Sequence, residues 1–377
     1  MKIGLLVNPI AGMGGRVGLK GTDGVYERAV KLGAVPVAPQ RAQEFLTSLK
    51  QLYTHLERVP PAIVTCPSIM GQSEVESVGL HHETIDVQIG NPTSSEDTRR
   101  CVNALYQAGV RLLVFVGGDG TARDIVDAVQ TNRLDDLSVI GVPSGVKMYS
   151  GVFVVNPAVA ADVVRLVDEG MTTTTDFEVM DADEQSFRED QFVVRLYGFL
   201  RGPLVPARFQ GAKQVSPETV DEREAQEAIA RYVVERMVDG DWYILGPGTT
   251  VRAVADLLGI RKTVLGVDLY QRGKVYNDVN ESQILQLVSD FSRAWIMVSP
   301  IGHQGMLFGR GNQQISPAII ERVGRDHIVV MMTAAKLRGI SGDHICVDTG
   351  DPRVDEMLRG YIRVITDYAE IRLVRVE

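Results

Sequence analysis

A chain of 377 residues, 45% apolar and 23% charged, exceeds one ordinary core and holds too much apolar material for large-scale disorder, so two folded domains are expected. Its formal net charge of −9 argues against a nucleic-acid-binding surface, and no run approaches the ~18 consecutive apolar residues of a membrane span. The opening MKIGLLVNPIAG reads as strand and turn rather than signal peptide, and Cys66, Cys101 and Cys346 are too far apart for a CxxC metal knuckle, so a cytoplasmic protein with reduced thiols is expected.

Ile3 to Val7 is the first predicted strand. The loop behind it holds Gly12, Gly14, Gly15, Gly18, Gly21 and Gly24. Val17 stands where a dinucleotide fingerprint needs its third glycine, and Lys20 is followed by Gly21 rather than by the Ser or Thr of a Walker A loop. The glycines still permit close approach to a phosphate, with Arg16 and Lys20 as the charges in reach; a flexible surface loop is the alternative. Phe45, Leu49, Leu52 and Leu56 predict a helix over 42–56, Ala62 to Cys66 a strand ended by Pro67, and 68–84 a weaker helix. That helix carries His81-His82, adjacent histidines that point apart and read as surface residues. Ile85 to Ile89 is the third predicted strand, and Thr93-Ser94-Ser95 with Asp97 caps a helix reaching Gly109.

The central stretch follows. Leu112 to Val116 is an unbroken apolar run, the pattern of a strand covered on both faces, and it enters Gly117-Gly118-Asp119-Gly120-Thr121. Ile125, Val126 and Val129 share a helical face, so a helix starts near Thr121. Strand, glycine turn and helix make a phosphate-binding geometry: Gly117, Gly118 and Gly120 leave no Cβ in the way of an anion, and the helix N-terminus adds partial positive charge. Asp119 is out of place in such a cradle. It reads as a cation ligand or as the acceptor of a hydroxyl proton, with an N-cap or Asx turn as the alternative.

The alternation of strands and helices specifies right-handed βαβ crossovers and an open parallel sheet. After a strand over Val139 to Val142, the loop Pro143 to Gly151 carries Ser144, Gly145 and Lys147. Lys147 is the cation suited to neutralise a transferring phosphoryl group, unless it is an ordinary solvated lysine. A helix from Pro157 to Asp168 closes a first domain of residues 1–170, and Thr172 to Thr175 is linker. The second domain, 171–377, α/β or β-rich, opens with an arm or lid over 171–240: a strand at Phe192 to Leu196, a loop from Gly198 to Gly211 with Arg201 and Arg208, and a charged helix from Pro217 to Met237.

A second glycine turn, Gly246-Pro247-Gly248-Thr249-Thr250, follows a strand at Trp242 to Leu245 and precedes a helix over Val251 to Leu258. Its N–H groups with Thr249 and Thr250 suit a phosphate or a ribose hydroxyl. Strands at Thr263 to Leu269 and Ala294 to Val298 flank a helix from Glu281 to Phe291. The loop Gly302 to Gln314, rich in amides and glycine with one Arg310, suits phosphate or nucleotide edges, or else marks a tight crossing. Asp348 and Asp351 are a Mg²⁺ or ribose contact, or a solvated turn. Strands at Tyr361 to Ile365 and Ile371 to Val376 finish the chain.

Three segments carry a resemblance. Gly117-Gly118-Asp119-Gly120-Thr121 resembles the signature of the superfamily of NAD kinases, diacylglycerol and sphingosine kinases and, more distantly, phosphofructokinases. Val7-Asn8-Pro9-Ile10-Ala11-Gly12-Met13-Gly14-Gly15 resembles its first strand and Asn-Pro-x-x-Gly turn, and the run through Gly24 is similar to the ATP-NAD kinase-like branch. Ile140 to Lys147 occupies the place of the lipid kinases' Pro-x-Gly-Thr loop. Gly246 to Thr250 is similar both to the Gly-Ser-Thr loop of NAD kinases and to the glycine-threonine loop of sugar-phosphate isomerases.

The resemblance implies a Rossmann-like, NAD kinase-like N-terminal domain and allows the C-terminal segment to return to it. It implies an ATP- or polyphosphate-dependent kinase acting on a hydroxyl with Mg²⁺ or another divalent cation, NAD being the default acceptor. Asp119 would be the catalytic carboxylate, and Asn8, Gly12, Gly14, Gly15, Gly117, Gly118, Gly120, Thr121, Ser144, Lys147, Gly248, Thr249 and Thr250 would bind the nucleotide. No metal ligand set is assigned. Partners would be a small-molecule nucleotide or metabolite, without nucleic acid or membrane, in a homo-oligomer. The sequence departs from the pattern in two places: Arg123-Asp124 stands where lipid kinases have Asn-Glu, and the chain's one Asn-Glu pair, Asn280-Glu281, lies far downstream. Members of the branch are associated with acetoin catabolism, so an accessory nucleotide-binding protein without kinase activity is one alternative, and a sugar-phosphate-binding enzyme another.

Overall fold

The computed structural model describes residues 1–15, 17–19, 26–145, 148–182, 194–205, 209, 220–301, 305–309, 311–340 and 344–377. Two units emerge. One comprises Met1–Met13, Gly21–Asp183 and Val193–Lys213; the other comprises Gly14–Lys20, Glu184–Phe192 and Gln214–Glu377.

The first unit runs β1 (Lys2–Val7), α1 (Tyr26–Lys31), α2 (Ala38–His55), β2 (Ala62–Thr65), α3 (Gln72–Val78), β3 (His82–Thr84), α4 (Ser95–Gln107), β4 (Leu112–Gly117), α5 (Asp119–Asn132), β5 (Ser138–Pro143), α6 (Pro157–Asp168), β6 (Thr173–Ala182) and β7 (Val194–Leu204). The expected parallel sheet is present, in the order β3-β2-β1-β4-β5, with every pairing parallel. All six residues of β4 are buried, as an unbroken apolar run requires of a strand covered twice. Alternation sends Leu113 and Phe115 toward Leu105 and Ile125 on one face, and Leu112, Val114 and Val116 toward Phe45, Leu49 and Val163 on the other.

The caps explain where the helices start. Ser94 and Asp97 form a reciprocal capping box on α4, and Asn156 accepts the Val159 N–H at 2.9 Å ahead of Pro157 on α6.

Five expectations in this unit change. The third strand is His82–Thr84, not Ile85 to Ile89, and the helix expected over 68–84 is reduced to a 3-10 turn and α3. Tyr53 and Leu46, rather than Leu56, complete the buried stripe of α2. Thr173 to Thr175 open β6 instead of forming a linker. The Gly- and Pro-interrupted segment from Gly198 to Leu204 is strand β7, paired antiparallel with β6. Its glycines are there for close approach, since a Cβ at Gly202 would lie 2.6 Å from the Val139 carbonyl oxygen and one at Gly198 2.8 Å from Val126. Arg208, Gly211, Phe192 and Pro217 lie outside the described residues.

Glu74 on α3 is 4% exposed, and its Oε2 has no hydrogen-bond partner among the described residues. Burial raises its pKa from 4.5 to about 7. The folded state therefore holds a proton the unfolded chain has released, so stability present below pH 4.5 is lost as pH rises through 7, by about 2–3 kcal/mol. Glu74→Gln should flatten that loss, measured as urea midpoints between about pH 4.5 and 8.

The second unit contains α7 (Val220–Val234), β8 (Trp242–Leu245), α8 (Thr249–Leu257), β9 (Asp268–Gln271), β10 (Lys274–Tyr276), α9 (Glu281–Leu287), β11 (Ala294–Val298), β12 (Met306–Phe308), α10 (Pro317–Val323), β13 (Ile328–Met331), α11 (Ala334–Arg338), β14 (His344–Val347), α12 (Pro352–Leu358), β15 (Gly360–Asp367) and β16 (Glu370–Val376). They build a nine-stranded mixed sheet in the order β10-β9-β8-β11-β13-β15-β16-β14-β12. Strands β8, β11, β13 and β15 are mutually parallel. Ile244, Ile296 and Val330 face one core, and Leu245, Met297 and Met331 face the other. The last two strands pair with each other inside this sheet.

The strand expected from Thr263 begins only at Asp268, because a buried polar network occupies the intervening residues. Asp268, fully buried, accepts from the Thr263 N–H at 2.7 Å, the Thr263 hydroxyl at 2.9 Å and the Asp278 N–H at 2.7 Å. No helix among the described residues is long and apolar enough to cross a membrane.

Candidate functional site

In an open parallel sheet, ligands bind where the strand order reverses, past the carboxyl ends of the flanking strands. Here that point lies between β1 and β4, which end at Val7 and Gly117. The two motifs singled out from the sequence meet at it. The Asn8 N–H extends the pairing to the Val116 carbonyl at 2.9 Å, and its Oδ1 accepts the Ile10 N–H at 3.3 Å. Its Nδ2 donates to Thr121 Oγ1 at 2.9 Å in the first turn of α5. Asn8→Ala should therefore cost about 1–2 kcal/mol, readable as a lower melting temperature, and release the Thr121 hydroxyl.

The glycines fit where a side chain would collide. A Cβ on Gly117 would lie 2.4 Å from Thr121 Oγ1, and one on Gly12, at φ +81°, would lie 1.9 Å from the Ser144 carbonyl oxygen. The Ser144 N–H in turn donates to the Gly117 carbonyl at 3.0 Å. Three turns, after β1, β4 and β5, are thus held backbone to backbone. Gly118 has only Gly145 Cα near its missing Cβ, at 3.6 Å, and Gly120 is half-buried. Ser144 is 2% exposed, and its hydroxyl has no partner among the described residues. An orphaned hydroxyl between open glycines fits the oxygens of a phosphate.

Asp119 is the first residue of α5, with Gly118 as the N-cap, and it is only half-buried. Its Oδ2 accepts the Tyr149 N–H at 2.7 Å and its Oδ1 the Ser150 N–H at 3.1 Å, so the carboxylate clamps the loop that follows β5. Burial, and then the Asp119 charge, push the Tyr149 phenol well above its ordinary pKa. The clamp continues outward: Ser150 Oγ accepts the Met180 N–H at 2.9 Å, and the Gly151 N–H donates to the Glu178 carbonyl at 2.8 Å, both on β6. Arg123 is paired with Asp181 on the same strand. Lys147, Arg16, Lys20, His303 and Arg310 lie outside the described residues.

Gly14 and Gly15 group with the second unit, where the Leu19 N–H donates to the Gly14 carbonyl at 2.8 Å and the Gly18 N–H to that of Gly15 at 3.2 Å. Gly248, Thr249 and Thr250 also belong to that unit. Gly248 caps α8 at φ +110° with nothing within 4 Å of its missing Cβ. Thr249 is exposed and Thr250 is buried. Asp351 caps α12 through the Arg353 N–H at 2.9 Å, the solvated-turn alternative. Sequence reasoning missed Ser299 and Lys336, 37 positions apart with no motif between them, joined by a 3.1 Å hydrogen bond.

The fold is a two-unit α/β protein with glycine-rich turns meeting at the switch point of its first sheet. Residues 3–171 match the ATP-NAD kinase N-terminal domain, and residues 238–376 match the ATP-NAD kinase C-terminal domain. The chain belongs to an NAD kinase-like family, a family of phosphotransferases. No curated protein and no solved structure matches it.

Proposed function

We propose that this protein is an ATP- or polyphosphate-dependent phosphotransferase acting on a hydroxyl, with the 2′-hydroxyl of NAD as the default acceptor. The observation that carries this reading is the joining of the Asn8 turn to the Gly117–Thr121 turn at the switch point, with the unpartnered Ser144 hydroxyl beside them. Gly12, Gly117, Gly118, Gly120 and Ser144 would line the phosphates. Lys147 would neutralise charge on the transferring group.

Asp119, held at the N-terminus of α5 by the Tyr149 and Ser150 N–H groups, would accept the acceptor hydroxyl's proton or fix its orientation. The fixed main-chain donors keep it in place. Among the described residues no three His, Cys, Asp or Glu side chains converge as a metal cage, which suits a divalent cation carried on the phosphates. Such a cation would offset the charge that builds up during transfer.

One observation favours a second reading, nucleotide binding without transfer: both Asp119 oxygens are already engaged by the main chain. Incubating the full chain with Mg²⁺, ATP or polyphosphate and a panel of acceptors, followed by mass spectrometry, separates the two. The phosphotransferase reading expects an acceptor heavier by one phosphoryl group. Nucleotide-induced thermal stabilisation with no such product supports the binder instead.

A further inference from the structure

The second unit has its own strand ends. Gly246 follows β8 and packs against Val298, with 2.9 Å between its missing Cβ and the Val298 side chain; Ser299 follows β11; Thr333 lies just beyond β13 and caps α11. Parallel pairing sets these three ends side by side, and α8 begins at the first of them.

Lys336 on α11 extends its ammonium into this edge and donates to Ser299 Oγ at 3.1 Å. The residue as a whole is half-buried, yet its ammonium is enclosed: burial pushes the pKa down to about 8, against the opposing pull of the Glu222 carboxylate on α7. Among the described residues no carboxylate lies within 4 Å of it. Glu222 itself accepts the Thr333 hydroxyl at 2.8 and 3.1 Å and the Gln226 amide at 3.5 Å, and that amide also donates to Thr249 Oγ1 at 3.2 Å.

The remaining valences share one sign. An ammonium has three N–H donors, and among the described residues one is used. Ser299 accepts that bond, so its own hydroxyl keeps a proton to donate. The first-turn N–H groups of α8 are donors too. An enclosed ammonium facing a neutral hydroxyl is costly unless an anion completes it. Ammonium, hydroxyl and helix N–H groups together match the several oxygens of a phosphate better than a planar carboxylate.

We propose that the carboxyl edge of β8, β11 and β13 binds the phosphate group of a small phosphorylated metabolite, with Lys336 and Ser299 as its direct ligands and the first turn of α8 as a further donor surface. The site does not depend on phosphoryl transfer at Asp119. Lysine labelled with ¹³C at Cε in the full chain reads it directly, the Lys336 signal being identified by its loss in Lys336→Arg or, should that variant not fold, by its displacement in Ser299→Ala. Inorganic phosphate should raise the Lys336 titration midpoint by about one pH unit or more, as an opposite charge at contact distance does, and chloride at matched ionic strength should not. Ser299→Ala should weaken phosphate binding by about 3- to 10-fold, and Asp119→Asn should leave it unchanged. Identical Lys336 titrations in phosphate and chloride would overturn the proposal, and an equal shift with acetate would overturn its assignment to phosphate.

Discussion

Asp119→Asn is expected to lower turnover by about 10²- to 10⁴-fold, the usual contribution of a positioned acid–base group, and to cost stability as well. The second effect follows from the clamp. The carboxylate presents acceptors to both the Tyr149 and Ser150 N–H groups, whereas an amide presents one oxygen and one NH₂, so one main-chain donor must face another. Losing one buried bond and leaving its donor unpaired costs about 1–3 kcal/mol. Turnover normalised to the folded fraction separates the two losses. A variant that melts lower yet turns over like the wild type would confine Asp119 to holding the loop.

Gly12→Ala should have the largest effect on the fold. The position has φ +81°, which costs an alanine about 1–2 kcal/mol, and the new Cβ would lie 1.9 Å from the Ser144 carbonyl oxygen. Either the turn after β1 or the one after β5 has to move, so a total above about 3 kcal/mol is expected, with loss of nucleotide binding. Gly170→Ala is the control. Its φ of +69° imposes the same backbone penalty, but nothing among the described residues lies within 4 Å, so only that penalty of about 1–2 kcal/mol should be lost. Chemical denaturation of the three proteins distinguishes collision from backbone strain, and equal midpoints for the two variants would contradict the packing of the turns.

Much of this architecture was legible in the sequence, where burial and capping act locally. The unbroken run at Leu112 to Val116 specified a doubly covered strand, Ser94 with Asp97 the start of α4, and Pro157 the start of α6. The misreadings arose where distant contacts override local pattern. Gly198 and Gly202 look like loop residues, but the hairpin lies so close on Val126 and Val139 that only glycine fits. Residues 263–267 have strand composition, yet Asp268 draws them into hydrogen bonds that a ladder would forbid.

In the candidate site, the glycine-rich turns were readable as places of close backbone approach, and Asn8 only through the resemblance of its turn. That Asp119 is clamped by main-chain donors 30 and 31 positions away was not, since any residue can supply an N–H. Lys336 and Ser299 were hidden for the same reason: only the parallel pairing of β11 with β13 makes them neighbours.

The most direct test is phosphorus NMR of a reaction holding the full chain, Mg²⁺, ATP and NAD. Phosphoryl transfer predicts a new phosphomonoester resonance that grows in step with ADP. ADP accompanied only by inorganic phosphate, or ATP left unchanged while NAD and ATP both bind, would contradict the assignment of this cradle to a kinase acting on NAD.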